Sequence, residues 1–246
     1  MPANFFNFPA EIRHKIYEEL LVLSEPITLI TTWGRGRSWP PFSLSKRYGL
    51  CPALLRANKR VQREASPLLY SGNRFGFSHP YPMTRIFAEC QVLTSFLNQI
   101  GRQNASFLRH ISIHFPDFDD SRPGRATLRK ESMKLLELIR DNCTSIATLE
   151  TSLDSPDLSA YTANLDSSLI TGEALELLDA RFKAISSLKE IIVNVPVYGN
   201  ECPSDSLRKK MRDCGWTIKD IELEDSEYYQ EAYYELYIDT MIDQEW

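Results

Sequence analysis

The sequence has few of the residues on which enzyme and metal sites are usually built. Its 246 residues include only four histidines, five cysteines and ten glycines. No segment matches a phosphate-binding loop, a nucleophile elbow, a dinucleotide-binding turn or a zinc-protease helix. His110 and His114 share one face of a predicted strand, but that strand segment spans about 13 Å, too far for both to bind one metal. We therefore expect no enzyme, no catalytic residues, no cofactor and no metal.

Long apolar runs are also missing. No stretch approaches the roughly 18 apolar residues of a membrane span, and the N-terminus lacks the basic flank and apolar core of a secretory signal. The five cysteines are odd in number and scattered, without a C-x-x-C pair. These features predict reduced thiols in a cytoplasmic or nuclear protein that has no membrane partner.

The charge of the chain is unevenly distributed. Residues 1–130 contain 18 Lys and Arg against 9 Asp and Glu, whereas the remainder contains 10 against 24. Between Arg35 and Arg74 the only acid is Glu64, and from Asp220 to Trp246 there are ten acids and no Lys or Arg. Such an asymmetry indicates either that the two halves attract each other or that they meet different partners.

The basic region carries its cations among aromatic side chains, a combination that suits single-stranded nucleic acid or another polyanion. The candidate residues for such a surface are Arg35, Arg37, Lys46, Arg47, Lys59 and Arg63. The alternative is that the helical cations keep an outer face solvated, because Leu54, Val61 and Ala65 form the apolar side of the same helix. The acidic overall charge argues against strong phosphate binding, so nucleic acid is not the expected partner.

An amphipathic helix is predicted near the start of the chain, over residues 8–21. Pro9 suits the first helical position, where its missing N–H costs nothing. Four apolar residues recur at every fourth position and form one face: Phe8, Ile12, Ile16 and Leu20. This face either binds a partner or packs in the protein's own core beside Leu54, Val61 and Leu69. Exposure of the face would indicate a partner, and burial would indicate core.

Two segments carry a resemblance to a known family. Residues 8–21, FPAEIRHKIYEELL, resemble the opening helix of an F-box, whose usual form is Leu-Pro-x-Glu-Ile followed by apolar residues at helical spacing. Residues 53–77 resemble the later part of F-box-like proteins that are abundant in filamentous fungi. The matching residues in this second segment are Leu54, Leu55, Arg56, Asn58, Lys59, Glu64, Ala65, Leu68, Leu69, Tyr70, Asn73, Phe75 and Phe77. Together the two segments cover less than a third of the chain.

The resemblance implies a substrate-recognition adaptor whose first helix binds the adaptor subunit of a cullin-type ubiquitin ligase. The implied partner-binding residues are Phe8, Pro9, Ile12, Ile16 and Leu20. An ordinary F-box is continuous, whereas here an insert from Ser24 to Pro52 separates the two segments. The insert holds a strand-like run, residues 26–32, and then a loop. A second alternative is therefore a structural or interaction scaffold that has lost ligase binding.

The later part of the chain alternates helices with strands. The predicted helices cover residues 83–100, 127–142, 172–186 and 204–214. Each precedes a strand with the spacing apolar-x-x-apolar-x-apolar, as in Leu108, Ile111 and Ile113, and an intervening helix makes consecutive strands parallel. We predict an α/β fold in which F-box-like helices precede helix–strand units that form a mostly parallel sheet resembling leucine-rich repeats. An α/β domain without repeat ancestry is the alternative.

Three parts are predicted along the chain. Residues 1–80 form a helical module with a β-rich insert at 24–52, and residues 81–225 form the α/β body. Residues 226–246 form an acidic helix or tail, which we expect to dock on the basic region of the same chain. Its anchors would be Tyr233, Leu236 and Tyr237, by burial of their apolar area.

Overall fold

The computed structural model describes residues 5–31, 42–45, 49–78, 85–120, 124–153, 172–197 and 205–222. The helices of these residues are α1 (Ala10–Leu21), α2 (Lys59–Gly72), α3 (Arg85–Ala105), α4 (Lys130–Asn142), α5 (Gly172–Lys183) and α6 (Asp205–Asp213). The strands are β1 (Ile27–Thr31), β2 (Phe42–Leu44), β3 (Arg74–Ser78), β4 (His110–His114), β5 (Phe118–Asp120), β6 (Thr127–Leu128), β7 (Thr148–Ser152), β8 (Glu190–Val197) and β9 (Thr217–Glu222). Short 3-10 turns cover Phe5–Asn7 and Pro52–Arg56.

Seven of the strands form one sheet in the order β2-β1-β3-β4-β7-β8-β9. Six of them run parallel and follow one another in chain order, while β2 pairs antiparallel with β1 at one edge. Strands β5 and β6 form a separate antiparallel pair. The predicted α/β fold with a mostly parallel sheet is confirmed, because each crossover helix returns the chain to the start of the next parallel strand.

The two faces of the sheet differ in character. One face carries a row of paired apolar residues, in which Phe75 pairs with Ile111 and Ile111 with Leu149. Phe96 of α3 packs on this face, with its ring centroid 5.3 Å from that of Phe75. The opposite face carries a polar row that includes His110. The core therefore lies between the sheet and its helices, as the apolar spacing of the strands predicts.

Helix boundaries differ from the sequence prediction at several places: α3 ends at Ala105 and not at residue 100, and α4 begins at Lys130 because Thr127–Leu128 forms β6. Ser66 and Pro67 are residue types that suit the first positions of a helix, but Pro67 lies inside the continuous helix α2. Proline inside a helix costs about 3 kcal/mol, and burial of Leu69 and Tyr70 in the following turn offsets that cost. Helix α1 begins at Ala10, so Pro9 is its N-cap and not its first helical residue.

The sheet is continuous across the boundary predicted at residue 80, since β3 pairs with β4. The insert at 24–52 supplies β1 and β2, so it extends the sheet at its first edge. The tail at 226–246 lies outside the described residues. None of the helices in the described part combines the length and apolar character needed to cross a membrane. Cys51, Cys90, Cys143 and Cys214 are free thiols.

Candidate functional site

Three apolar residues of α1, Ile12, Ile16 and Leu20, are exposed, and so is Phe8, which precedes the N-cap residue Pro9. Their exposed fractions are 46% for Phe8, 41% for Ile12, 37% for Ile16 and 36% for Leu20. Only two other large apolar side chains of the described residues are exposed, Leu44 and Ile221, and these lie on the outermost described strands of the sheet. Phe8, Ile12, Ile16 and Leu20, hereafter the apolar face of α1, are therefore not part of the protein's own core. The alternative in which they pack beside Leu54, Val61 and Leu69 is wrong.

Helix α1 instead docks through the residues that follow Ile12, Ile16 and Leu20 by one position. Arg13, Tyr17 and Leu21 are buried, and Tyr17 and Leu21 are fully inaccessible. In an α-helix a one-residue step rotates the side chain by about 100°, so the docked face and the apolar face lie side by side. Sequence periodicity could not assign the two faces, because Arg13 is of a residue type that is rarely buried.

Four polar side chains join α1 to α2, and we call them the Glu64 cluster: Arg13, Tyr17, Arg60 and Glu64. Arg13 donates to both Glu64 oxygens, from Nε to Oε2 at 2.9 Å and from Nη2 to Oε1 at 2.8 Å. The Tyr17 hydroxyl lies 3.2 Å from Oε2, and Arg60 Nε donates to Oε1 at 2.9 Å. These hydrogen bonds, Arg13's above all, lower the pKa of Glu64 to about 2. The carboxylate is therefore charged at neutral pH, and it compensates the burial of Arg13.

A second junction holds the other end of α1. The buried Asn73 donates from Nδ2 to the carbonyls of Leu21, at 2.6 Å, and Leu69, at 2.8 Å. Its Oδ1 accepts a hydrogen bond from the backbone N–H of Leu23 at 2.8 Å. Asn73 thus satisfies backbone groups at the C-terminal ends of both α1 and α2, which would otherwise be left without intrahelical partners. Both ends of α1 are fixed to α2.

The residues before α1 are also anchored. The ring of Phe5 lies 5.8 Å from that of Tyr17, and the guanidinium of Arg60 lies 4.7 Å above the ring of Phe6. Arg13 Nη1 donates to the carbonyl of Phe8 at 2.6 Å. The N-terminal end of the apolar face is therefore connected to the Glu64 cluster.

The apolar face of α1 forms a ridge with charged neighbours. From Ile12 to Leu20 it extends about 12 Å along the helix, given a rise of about 1.5 Å per residue. Glu11, Lys15, Glu18 and Glu19 of the same helix are exposed. A helix whose apolar residues recur every four positions, with charged residues beside them, is typical of helices that bind in an apolar groove of another protein. Pro9, the fifth residue implied by the resemblance, is exposed at the helix cap.

The alternative polyanion-binding residues are described only in part. Lys59 and Arg63 lie exposed on α2. Arg35, Arg37, Lys46 and Arg47 lie outside the described residues. The structure therefore brings two of the six candidates onto one surface.

The histidines of β4 have carboxylate neighbours that sequence spacing did not reveal. His110 Nε2 lies 2.7 Å from Glu150 Oε2, and Asn194 Nδ2 donates to Glu150 Oε1 at 2.6 Å. The hydrogen bond with His110 is the main reason that the pKa of Glu150 falls to about 2. The backbone N–H of His114 donates to the buried Glu89 at 2.9 Å. Across the described ranges, no group of three or more His, Cys, Asp or Glu residues is arranged to hold a metal ion.

Comparisons with known proteins give no match to a family model, a curated protein or a solved structure. Function is therefore inferred from the residues of the chain and their geometry.

Proposed function

We propose that this protein is a non-enzymatic protein–protein interaction module, and that the apolar face of α1 docks in a groove on the adaptor subunit of a cullin-type ubiquitin ligase. The observation that carries the proposal is the joint exposure of this face on a helix that is docked through an adjacent face. The exposed residues are also those by which the segment resembles the opening helix of an F-box. In this proposal the sheet recognises the substrate.

The position of α1 in the fold supports an external partner. Helix α1 packs on α2, α2 on α3, and α3 on α4, so α1 is the first helix of the layer. Terminal elements of a repetitive stack usually present a polar outer face to water. A terminal helix with three exposed large apolar side chains, and a fourth just before its cap, departs from that expectation, and such patches mark interaction sites. Burying each of these side chains in a groove would contribute about 1 kcal/mol or more.

The insert between the two segments is compatible with this function. Its strands β1 and β2 join the sheet, whereas α1 and α2 pack directly on each other. Residues more than fifty positions apart, such as Arg13 and Glu64, are in hydrogen-bond contact. The two halves of the interrupted pattern therefore form one unit in space.

A binding measurement with purified components tests the proposal. We expect the protein to bind a purified cullin-ligase adaptor subunit with micromolar or tighter affinity. Moderate salt should change that affinity little, because apolar burial is only weakly screened. Ile16→Asp should abolish measurable binding, because the partner would have to desolvate a carboxylate. Glu18→Ala alters an exposed residue of the same helix outside the apolar face and should leave the affinity unchanged.

Two results would contradict the proposal. The first is no measurable binding at high micromolar concentration, which would leave the alternative of a scaffold without ligase binding. The second is equal binding by the wild type and Ile16→Asp, which would place the contact elsewhere on the molecule. Retention on a heparin column that falls steeply with salt would instead favour a polyanion.

A further inference from the structure

The first residue of the apolar face of α1 is held differently from the other three. Ile12, Ile16 and Leu20 are placed by the helix, whose geometry fixes their relative directions. Phe8 precedes the N-cap Pro9, which has extended backbone angles, φ −51° and ψ 152°. Helical hydrogen bonds therefore do not determine where Phe8 points. Its backbone is held by two hydrogen bonds, from its own N–H to the Phe5 carbonyl at 3.2 Å and from Arg13 Nη1 to its carbonyl at 2.6 Å.

Arg13 is thus shared between two tasks. Two of its nitrogens donate to Glu64, and the third donates to the carbonyl of Phe8. A guanidinium can do this because its five N–H donors are arranged in a rigid planar fork. A lysine ammonium at this position could pair with Glu64, but one small charged group cannot span the carboxylate and the Phe8 carbonyl in the same way.

We infer that Arg13 is a positioning residue for partner binding: anchored by Glu64, it holds Phe8 in line with the rest of the apolar face. The inference rests on the proposed function of that face. Because Arg13 itself is buried, we expect it to act on binding through the residues that it holds and not by direct contact with the partner. If only part of the population presents Phe8 correctly, the apparent affinity falls in proportion to that fraction. In this inference Arg13 changes the affinity through its hold on Phe8.

The chain offers a matched control for this role. Arg60 donates to the same carboxylate at 2.9 Å, but its side chain is 48% exposed. Its guanidinium lies over Phe6, and its described contacts do not include the Phe8 carbonyl. Arg13→Lys and Arg60→Lys each remove one guanidinium from the Glu64 cluster, and only the first removes the contact with Phe8.

A double-mutant cycle with a purified cullin-ligase adaptor subunit tests the inference. The proteins are the wild type, Arg13→Lys, Phe8→Ala and the double variant. We expect Arg13→Lys to weaken binding about tenfold, but to cause no further loss where Phe8 is already Ala, because the two substitutions then remove the same contact. Arg60→Lys should stay within about twofold of the wild type. A purely structural role for Arg13 predicts equal losses in both backgrounds, and that result overturns the inference, as does wild-type affinity for Arg13→Lys.

A partner-free measurement separates this inference from the proposed function. The amides of Ile12 and Arg13 donate to the Pro9 carbonyl at 3.1 and 3.2 Å. In Arg13→Lys their hydrogen exchange should accelerate about fivefold or more, because the N-terminal turn is released. The amide of Val22, bonded to Glu18 at the other end of α1, should exchange as in the wild type. If the adaptor does not bind the wild type, the proposed function fails, and unchanged exchange at Ile12 and Arg13 overturns the inference independently. Should Arg13→Lys fail to fold, Glu64→Gln releases Arg13 from its anchor and is tested in the same cycle.

Discussion

Helices α1 and α2 lie side by side, and both are amphipathic, yet the regular apolar stripe faces the core in α2 and lies outside the core in α1. Helix α2 follows the usual rule, with Val61 and Ala65 buried and Lys59 exposed. Helix α1 buries Arg13, Tyr17 and Leu21 and leaves its regular apolar stripe exposed. The stripe that periodicity identifies is therefore core in α2 and surface in α1.

The difference shows that an apolar stripe indicates a surface that becomes buried, but does not indicate whether the same chain or another protein covers it. In α2 the covering surface belongs to the same chain. In α1 the docked side contains the Glu64 cluster, in which Glu64 accepts hydrogen bonds from the buried guanidinium of Arg13. These bonds fix the orientation of the helix. A helix that uses polar contacts for its own docking has its apolar side available for another protein.

The largest expected effect comes from the docked side of α1. Tyr17→Ala removes a fully buried aromatic ring and should cost about 3–5 kcal/mol of unfolding free energy, which lowers the melting temperature by roughly 10 °C. Tyr17→Phe keeps the ring and loses only the contact with Glu64, so its cost should be about 1 kcal/mol. Equal melting temperatures for the Ala variant and the wild type would show that α1 is not docked through this side.

Asn73 tests the junction at the other end of the two helices. Asn73→Ala leaves two carbonyls and one N–H without their side-chain partner, and we expect a loss of about 3 kcal/mol in chemical denaturation. Asn104 is a useful control, because its Nδ2 bonds a single carbonyl, that of Ile100, at 2.9 Å. Asn104→Ala should cost about 1 kcal/mol or less. Similar losses for both variants would mean that Asn73 does not join α1 to α2.

The fold was predictable where local patterns decide it. The spacing of Ile111 and Ile113 identifies a strand with one buried face, and the helices between strands imply parallel pairing. The residues of the apolar face of α1 were identified for the same reason. Their exposure was not predictable, because it depends on Arg13 meeting Glu64, and 51 positions separate the two in sequence. Asn73 and Glu64 were noted as matches to a family pattern, but only the structure shows what they contact.

Acid pH should weaken the junction of α1 and α2. The pKa of Glu64 is lowered from its ordinary 4.5 to about 2 in the folded protein, with Arg13 as the main cause. The stabilisation is therefore fully present above pH 4.5 and is lost as the pH falls from 4.5 toward 2. Glu64→Gln should reduce the melting temperature by a few degrees at neutral pH. It should also make the unfolding free energy depend less on pH between 4.5 and 2. Since Glu64 is partly solvated, the change should be smaller than for Tyr17→Ala.

Glu150 provides the comparison outside α1. Its pKa is also lowered to about 2, so Glu150→Gln should likewise make the unfolding free energy depend less on pH at acid pH. Only Glu64→Gln should accelerate hydrogen exchange in α1 as well. If both variants accelerated hydrogen exchange in α1 equally, the docking of α1 would not depend specifically on the Glu64 cluster.

The smallest expected effect on stability comes from the apolar face itself. Ile16→Asp places a charge one residue away from the fully buried Tyr17, yet Ile16 is 37% exposed and its carboxylate substitute can remain in water. We expect the unfolding free energy to change by about 0.5 kcal/mol or less, as for other surface substitutions, in contrast to the unfolding that a charge in the core would cause. Denaturant titration of Ile16→Asp beside Tyr17→Ala measures the difference directly. A loss of several kcal/mol for Ile16→Asp would show that this face is packed inside the protein, and α1 would then follow the same rule as α2.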